Sequence, residues 1–186
     1  MLKTDGVILH CSISLDGFAA DLNDSLDGME GDWGPNPLAD EVVANVGCIL
    51  GGRRGYDISR GWEREPEAYG GEVKVPEFVV TRRPPPDDPR TMFADGNDLP
   101  ATVAKAKAAA KGKMVVIIGP TLGSALLRAG LVDQVVIHMV PVLIGAGRPL
   151  YTPDGEPPVR LEKQAMSEAG QVTNFIFRPV RDPRSR

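Results

Sequence analysis

Short runs of apolar, largely β-branched residues, each closed by a turn, constrain this chain more than any other feature. Four of them are Val7-Ile8-Leu9-His10-Cys11-Ser12-Ile13, Gly47-Cys48-Ile49-Leu50, Val115-Val116-Ile117-Ile118 and Gln134 to Val142. They are short apolar runs rich in β-branched residues, so they read as buried strands, as in a parallel sheet covered by helices. Helical patterns lie between them. Leu38, Val42, Val43 and Val46 recur at helical spacing after Pro37, and an Ala- and Lys-rich stretch runs from Pro100 to Lys111. Leu122, Ala125, Leu126 and Ala129 mark one face of a helix that stops at Gly130. Glu77-Phe78-Val79-Val80-Thr81 adds a strand, Thr91 to Ala94 a weaker one, and the C-terminus two antiparallel strands, near Val159 to Met166 and Val172 to Pro179. The expected class is α/β, with a mostly parallel sheet, helices on its faces and an antiparallel edge.

The 186 residues suit one domain, read here as residues 1–180 with a flexible tail at 181–186. A formal net charge of -4 gives no global basic field, which argues against a nucleic-acid or membrane-surface partner. The apolar runs fall far short of the ~20 residues that span a bilayer, so a cytoplasmic protein is expected. Cys11 and Cys48 each sit inside an apolar run and read as free buried thiols. His10 and His138 lie in separate strands without a Cys/His cluster, so they read as packing histidines and no metal is expected.

Three turns that follow strands can take an anion. Ile118-Gly119-Pro120-Thr121-Leu122-Gly123 joins a strand to a helix, where uncapped amides and the helix dipole favour phosphate. Gly51-Gly52-Arg53-Arg54 and Thr81-Arg82-Arg83 end two other strands, and arginine forks suit a phosphate monoester. Each turn alone reads rather as tight geometry or solvated charge. Together they fall where ligands of open α/β sheets collect, at the carboxyl ends of strands. The acidic stretch from Ala20 to Pro37 has no apolar period and reads as a long functional loop.

Ser14 to Ala20, Leu50 to Asp57 with Trp62, Val79 to Arg82 and Val116 to Tyr151 resemble, in order, the dihydrofolate-reductase-like superfamily. The closest resemblance is to the C-terminal reductase domain of the riboflavin-biosynthesis protein RibD. It rests most on Gly123-Ser124-Ala125-Leu126-Leu127-Arg128-Ala129-Gly130-Leu131-Val132-Asp133 and Pro141-Val142-Leu143-Ile144-Gly145-Ala146-Gly147. The resemblance implies the dihydrofolate-reductase-like fold and an NADPH-dependent reductase of a pterin-like or aminopyrimidine heterocycle. It places Gly52, Arg53 and Arg54 at the cofactor phosphates, Thr81 and Arg82 on the 2′-phosphate side, and Gly119, Pro120, Thr121, Leu122 and Gly123 at the pyrophosphate. Gly17 and Ala20 would line the nicotinamide, with the acidic loop as a flap.

Asp40 becomes the candidate acid for the heterocycle's amino edge, Trp33 its wall, and Asp16 the other candidate acid. A solvent-facing role for Asp40 and a turn-stabilising role for Asp16 remain open. The resemblance also implies a homodimer using Val135 to Tyr151, and a cis bond at Gly119-Pro120, where proline lowers the cost of cis from ~3 to ~1 kcal/mol. Gly55 stands where the family carries Thr, removing one hydroxyl from the cofactor site. That departure keeps a second reading in view, a non-catalytic nucleotide-binding module of the same fold.

Overall fold

A computed structural model of the chain describes residues 1–31, 33–59, 69, 73–84 and 92–180. Trp62, Asp32, Thr91, most of the Gly61 to Glu72 stretch and the 181–186 tail lie outside the described residues. The strands are β1 (Val7–Ser14), β2 (Phe18–Ala20), β3 (Val46–Gly52), β4 (Glu77–Thr81), β5 (Met92–Asp95), β6 (Met114–Ile118), β7 (Gln134–Val140), β8 (Arg148–Pro149), β9 (Leu161–Ala169) and β10 (Val172–Pro179). The helices are α1 (Pro37–Asn45), α2 (Arg53–Ser59), α3 (Leu99–Ala110) and α4 (Pro120–Arg128), with a 3-10 turn at Asp27–Met29.

Among the described residues one sheet of eight strands runs in the order β5-β4-β3-β6-β1-β7-β10-β9, and β2 pairs with β8 in a small second sheet. β5, β4, β3, β6, β1 and β7 are mutually parallel, and the β9–β10 hairpin closes the edge antiparallel to β7. Side chains alternate between two apolar layers, as doubly buried strands require. Leu9, Leu50, Ile117 and Val135 face α3 and α4, where Val103, Ala106 and Leu126 cover them. Ile8, Ile49, Val116, Val136 and Ile176 face the other way and pack with Val42 of α1.

The helix ends follow the capping rules. Asn36 caps α1, its side chain accepting the Ala39 N–H at 3.4 Å, and Pro37 follows in the first turn. Asp98 does the same for α3, accepting from Ala101 at 2.9 Å. Gly119, at φ +99°, leads into α4 without a capping side chain. The expected cis bond at Gly119-Pro120 is corrected: no cis peptide occurs among the described residues. The left-handed backbone of Gly119 makes the reversal instead, and Pro120 sits in the first helical turn, where its missing N–H costs nothing.

Other boundaries shift for local reasons. The strand expected to reach Val142 ends at Val140, because Pro141 has no N–H for the ladder. The turn after Gly52 is a helix, α2, which glycine at position 55 hid from a propensity reading. Its buried Tyr56 packs edge-on to Phe93, with ring centroids 5.5 Å apart, so tertiary contact supplies what propensity lacks. β7, within the segment expected at a dimer interface, is paired on both edges by β1 and β10. Its Val135, Val136, Ile137 and Val140 are buried inside the single chain.

The short β2–β8 pair holds the turn after β1 against the loop that follows β7. Phe18 pairs with Pro149 and Ala20 with Arg148. The approach is so close at Gly147 that an added Cβ would lie 2.1 Å from the Ala20 carbonyl oxygen. Gly147→Ala is therefore expected to destabilise the protein by about 1–3 kcal/mol, the range of other backbone and overpacking lesions. Urea unfolding read by circular dichroism checks this, and an unchanged midpoint would contradict the contact.

Candidate functional site

Parallel pairing brings the ends of β1, β3, β4, β6 and β7 to one edge of the sheet, with their turns side by side. Gly52 ends β3, and a Cβ there would stand 3.7 Å from Cβ of Leu122 in the first turn of α4, so these two predicted phosphate turns are neighbours. No side chain caps α4, which leaves the first-turn amides of Thr121 and Leu122 uncapped. The Gly123 N–H is used internally, donating to the Gly119 carbonyl at 3.0 Å. Gly123 itself lets α4 lie close on β1, because an added Cβ would meet Leu9 Cδ1 at 2.6 Å.

The arginines of the neighbouring turns differ in what they already hold. Arg53 donates from Nε to Asp57 at 2.7 Å and from Nη1 to the Arg83 carbonyl at 2.6 Å, tying α2 to the turn after β4. Arg54 points to Asp24 of the acidic loop, giving two hydrogen bonds to Oδ2, while Arg148 donates to Oδ1 at 2.6 Å. These guanidinium hydrogen bonds, Arg54's foremost, hold the Asp24 carboxyl below its usual range. Arg82 is exposed and has no ion-pair partner among the described residues. Beside it Thr81 is buried, its hydroxyl accepting the Arg83 N–H at 3.1 Å. A dinucleotide fits this arrangement: uncapped amides and a side-chain-free glycine admit a pyrophosphate, and the Arg82 guanidinium, without an ion-pair partner among the described residues, can take a monoester.

Asp16, predicted as a catalytic candidate, is committed to structure. Its carboxylate accepts from Ser14 Oγ at 2.6 Å, from the Gly145 N–H at 2.7 Å and from the Ile144 N–H at 3.2 Å. The Ser14 bond is the largest cause holding its carboxyl below the usual range, and the two amides add to it. A carboxylate so held is a poor proton donor near neutral pH. Gly17, at φ +88°, closes the turn and accepts the Leu150 N–H through its carbonyl at 3.0 Å. Ala20 is buried in β2.

Asp40 stands exposed in the first turn of α1, with its N–H on the Asn36 carbonyl at 3.1 Å and no partner for its carboxylate among the described residues. Trp33 donates from Nε1 to the Met29 carbonyl at 2.9 Å and packs on a small cluster of Met29, Val140 and Val172. It therefore anchors the acidic loop to the end of β7. Between that loop and the loop after β7 opens a cleft of about 430 Å³, lined by Leu22, Val142, Leu143, Ile144 and neighbours. None of the residues predicted to hold cofactor lines it. It lies beside Asp16 and its partner loop.

The largest feature missed in the sequence is a buried polar line on the α1 face. His10 Nε2 and His138 Nε2 are 2.6 Å apart, His10 Nδ1 lies 2.7 Å from the Tyr69 hydroxyl, and His138 Nδ1 lies 2.6 Å from Asn174 Oδ1. Two imidazole nitrogens on one zinc ion would stand more than 3 Å apart, given bonds of about 2.0–2.1 Å, so this contact is a hydrogen bond and not a metal pair. Burial, and secondarily His138, pushes the His10 pKa down to about 3, and burial lowers His138 as well. Cys11 and Cys48 are free, and burial lifts their thiols to about 12 and about 11. The need for partners was signalled, since a ring in a largely buried strand such as β1 or β7 must find one, but which partner each ring finds depends on strand register.

A family model described as the RibD C-terminal domain matches residues 6–175. The uncharacterized protein YyaP of Bacillus subtilis (strain 168) is 26% identical over 157 residues, covering 81% of this chain and 82% of that protein. Among solved structures, a candidate riboflavin biosynthesis protein from Shewanella sp. PV-4 superposes with a TM-score of 0.75 at 21% identity, over 95% of this chain and 99% of that one. Dihydrofolate reductase from Enterococcus faecalis, complexed with NADP(H) and RAB-propyl, superposes with a TM-score of 0.61 at 12% identity, over 96% and 98%.

The neutral histidines give a pH signature whose sign is fixed. As pH falls through 6.5 the unfolded chain takes up protons that folded His10 accepts only near 3, so stability present at neutral pH is lost on acidification. The urea midpoint is expected to fall steadily from pH 6.5 to about 5, above the range in which carboxylates such as Asp16 and Asp24 titrate. A flat midpoint over that interval would contradict buried neutral rings.

Proposed function

The chain belongs to the RibD C-terminal domain family and has the dihydrofolate-reductase-like fold, and from that premise we propose that it is an NADPH-dependent reductase of a pterin-like or aminopyrimidine heterocycle. Its family and fold relatives are reductases. The observation that carries the reading is the meeting of Gly52 with the uncapped first turn of α4, beside an arginine that has no ion-pair partner among the described residues.

NADPH, when bound, supplies the hydride; the chain's own residues bind, orient and exclude water. The Thr121 and Leu122 amides receive the pyrophosphate, helped by the absence of a side chain at Gly52. Arg82 takes the 2′-phosphate, and Arg53 braces the two arginine turns against one another through the Arg83 carbonyl. Asp16 fixes the turn after β1 to the Ile144–Gly145 backbone, which holds the floor beside the nicotinamide in one place. Trp33, Met29 and Val140 close the end of β7 to water. Of the two candidate acids, only Asp40 has a carboxylate without a partner among the described residues, available to meet the substrate's amino edge or hold a proton for it. A second copy of the chain and a cytoplasmic location remain part of this proposal.

Steady-state oxidation of NADPH in the presence of pterins, dihydrofolate or aminopyrimidine ribosides tests it. Turnover with one of these is expected, and Arg82→Ala is expected to weaken NADPH about tenfold while leaving NADH nearly unchanged, the size of one lost charge-assisted hydrogen bond. NADPH binding without turnover on any heterocycle would favour the non-catalytic nucleotide-binding module.

A further inference from the structure

The strand registers set a line of polar side chains across the α1 face of the sheet. His138 on β7 stands opposite Asn174 on β10, and Asn174 stands opposite Ser167 on β9. On β1, Ser12 pairs with His138, so His10 lies diagonally beside it. Two residues earlier in β1 and β7, and two later in β10, the same face is apolar, with Ile8, Val136 and Ile176 in the core. Polar groups placed beside such a core are stable only when their hydrogen bonds are complete.

Here they are complete, and they have a direction. Asn36 and Asn174 exchange amide hydrogen bonds, each Nδ2 donating to the other's Oδ1 at 3.0 Å. His138 Nδ1 has two neighbours, the donor Asn36 Nδ2 at 3.2 Å and Asn174 Oδ1, which can only accept, at 2.6 Å; the much shorter contact decides, and puts the proton of His138 on Nδ1. A neutral ring protonated there has a bare Nε2, and the 2.6 Å contact between rings then requires the proton on His10 Nε2. His10 Nδ1 is left to accept from the Tyr69 hydroxyl at 2.7 Å. The chain runs Tyr69 to His10 to His138 to Asn174, with the two rings in opposite tautomers. At its far end Asn36 holds the start of α1, accepting the Ala39 N–H on its side chain and the Asp40 N–H on its carbonyl.

We propose that this tautomer-locked chain is the positioning device of the substrate side, hanging the start of α1, and Asp40 with it, from the sheet through Asn36 and seating Tyr69 on His10. Its substrate side rests on the reductase reading. Neither histidine is a catalytic residue; each acts through the segments it holds. The two rings are the chain's only histidines, so their signals need no further assignment as a pair.

Long-range 1H–15N correlation spectra of the labelled full chain at neutral pH are expected to show two neutral rings, one protonated at Nε2 and one at Nδ1. Two rings of the same tautomer, or a charged ring, would overturn the chain. Asn36→Ser keeps a capping oxygen for α1 and deletes the amide pair with Asn174. Amide exchange at Asp40 to Val42 is expected to quicken about tenfold, and KM for the heterocycle to rise by a similar factor, with kcat and the NADPH Kd nearly unchanged. Unaltered α1 exchange, or equal losses in NADPH and heterocycle binding, would overturn the positioning role. Absence of turnover in the wild type would count against the reductase reading alone, because tautomers and exchange are read on the resting protein.

Discussion

β1 is hydrogen-bonded on both edges to parallel partners, β6 on one side and β7 on the other, and is buried on both faces along its first three residues. A strand in that position cannot slide or tilt without breaking two ladders and two apolar layers. Its carboxyl end is therefore the fixed point from which the site is measured. Ser14 and Asp16 stand there, and Asp16 clamps the backbone of Ile144 and Gly145 after β7. At the opposite end of the same two strands Asp133 makes a matching clamp, accepting the Val7 N–H at 2.9 Å with Lys3 and Lys107 nearby. One acid at each end holds β1 in register, and the candidate turns lie along the Asp16 end of the sheet.

The edge that results is divided by charge. Toward β3 and β4 it is cationic and backbone-rich, with Gly52, Arg53, Arg82 and the first turn of α4. Toward β7 it is acidic and apolar, with the Asp21 to Met29 loop, Trp33 and the cleft beside Leu143. Asp24 joins the halves by holding Arg54 and Arg148 at once. Such a division suits a ligand that is anionic at one end and planar and weakly charged at the other.

The doubly buried strands, three of the helices and the antiparallel edge were legible in the sequence because each has a period or a run that only one environment satisfies. α2 was not, since Gly55 lowers helix propensity and its stability comes from Tyr56 meeting Phe93, a residue on another strand. β2 and β8 were too short to carry a pattern. In the candidate site, the turns after β3, β4 and β6 were legible because glycine, proline and arginine close those apolar runs, and parallel pairing sets them at one edge of the sheet. Which arginine was already occupied was not, because the answer lay in Asp24, 30 positions from Arg54. Asp16 and Asp40 were indistinguishable as acids until the three hydrogen bonds to Asp16 were seen. The histidine line was hidden for the same reason: β1 and β7 are 128 positions apart at that contact, and register alone brings the rings together.

The central claim is that the edge between β4 and α4 is a dinucleotide site. Amide chemical shifts of the 15N-labelled chain, followed during addition of NADPH, test it most directly. The account predicts the largest changes at Gly52, Arg82, Thr121 and Leu122, with Asp133 at the far edge unmoved. Changes confined to other surfaces, or none at saturating cofactor, would contradict it.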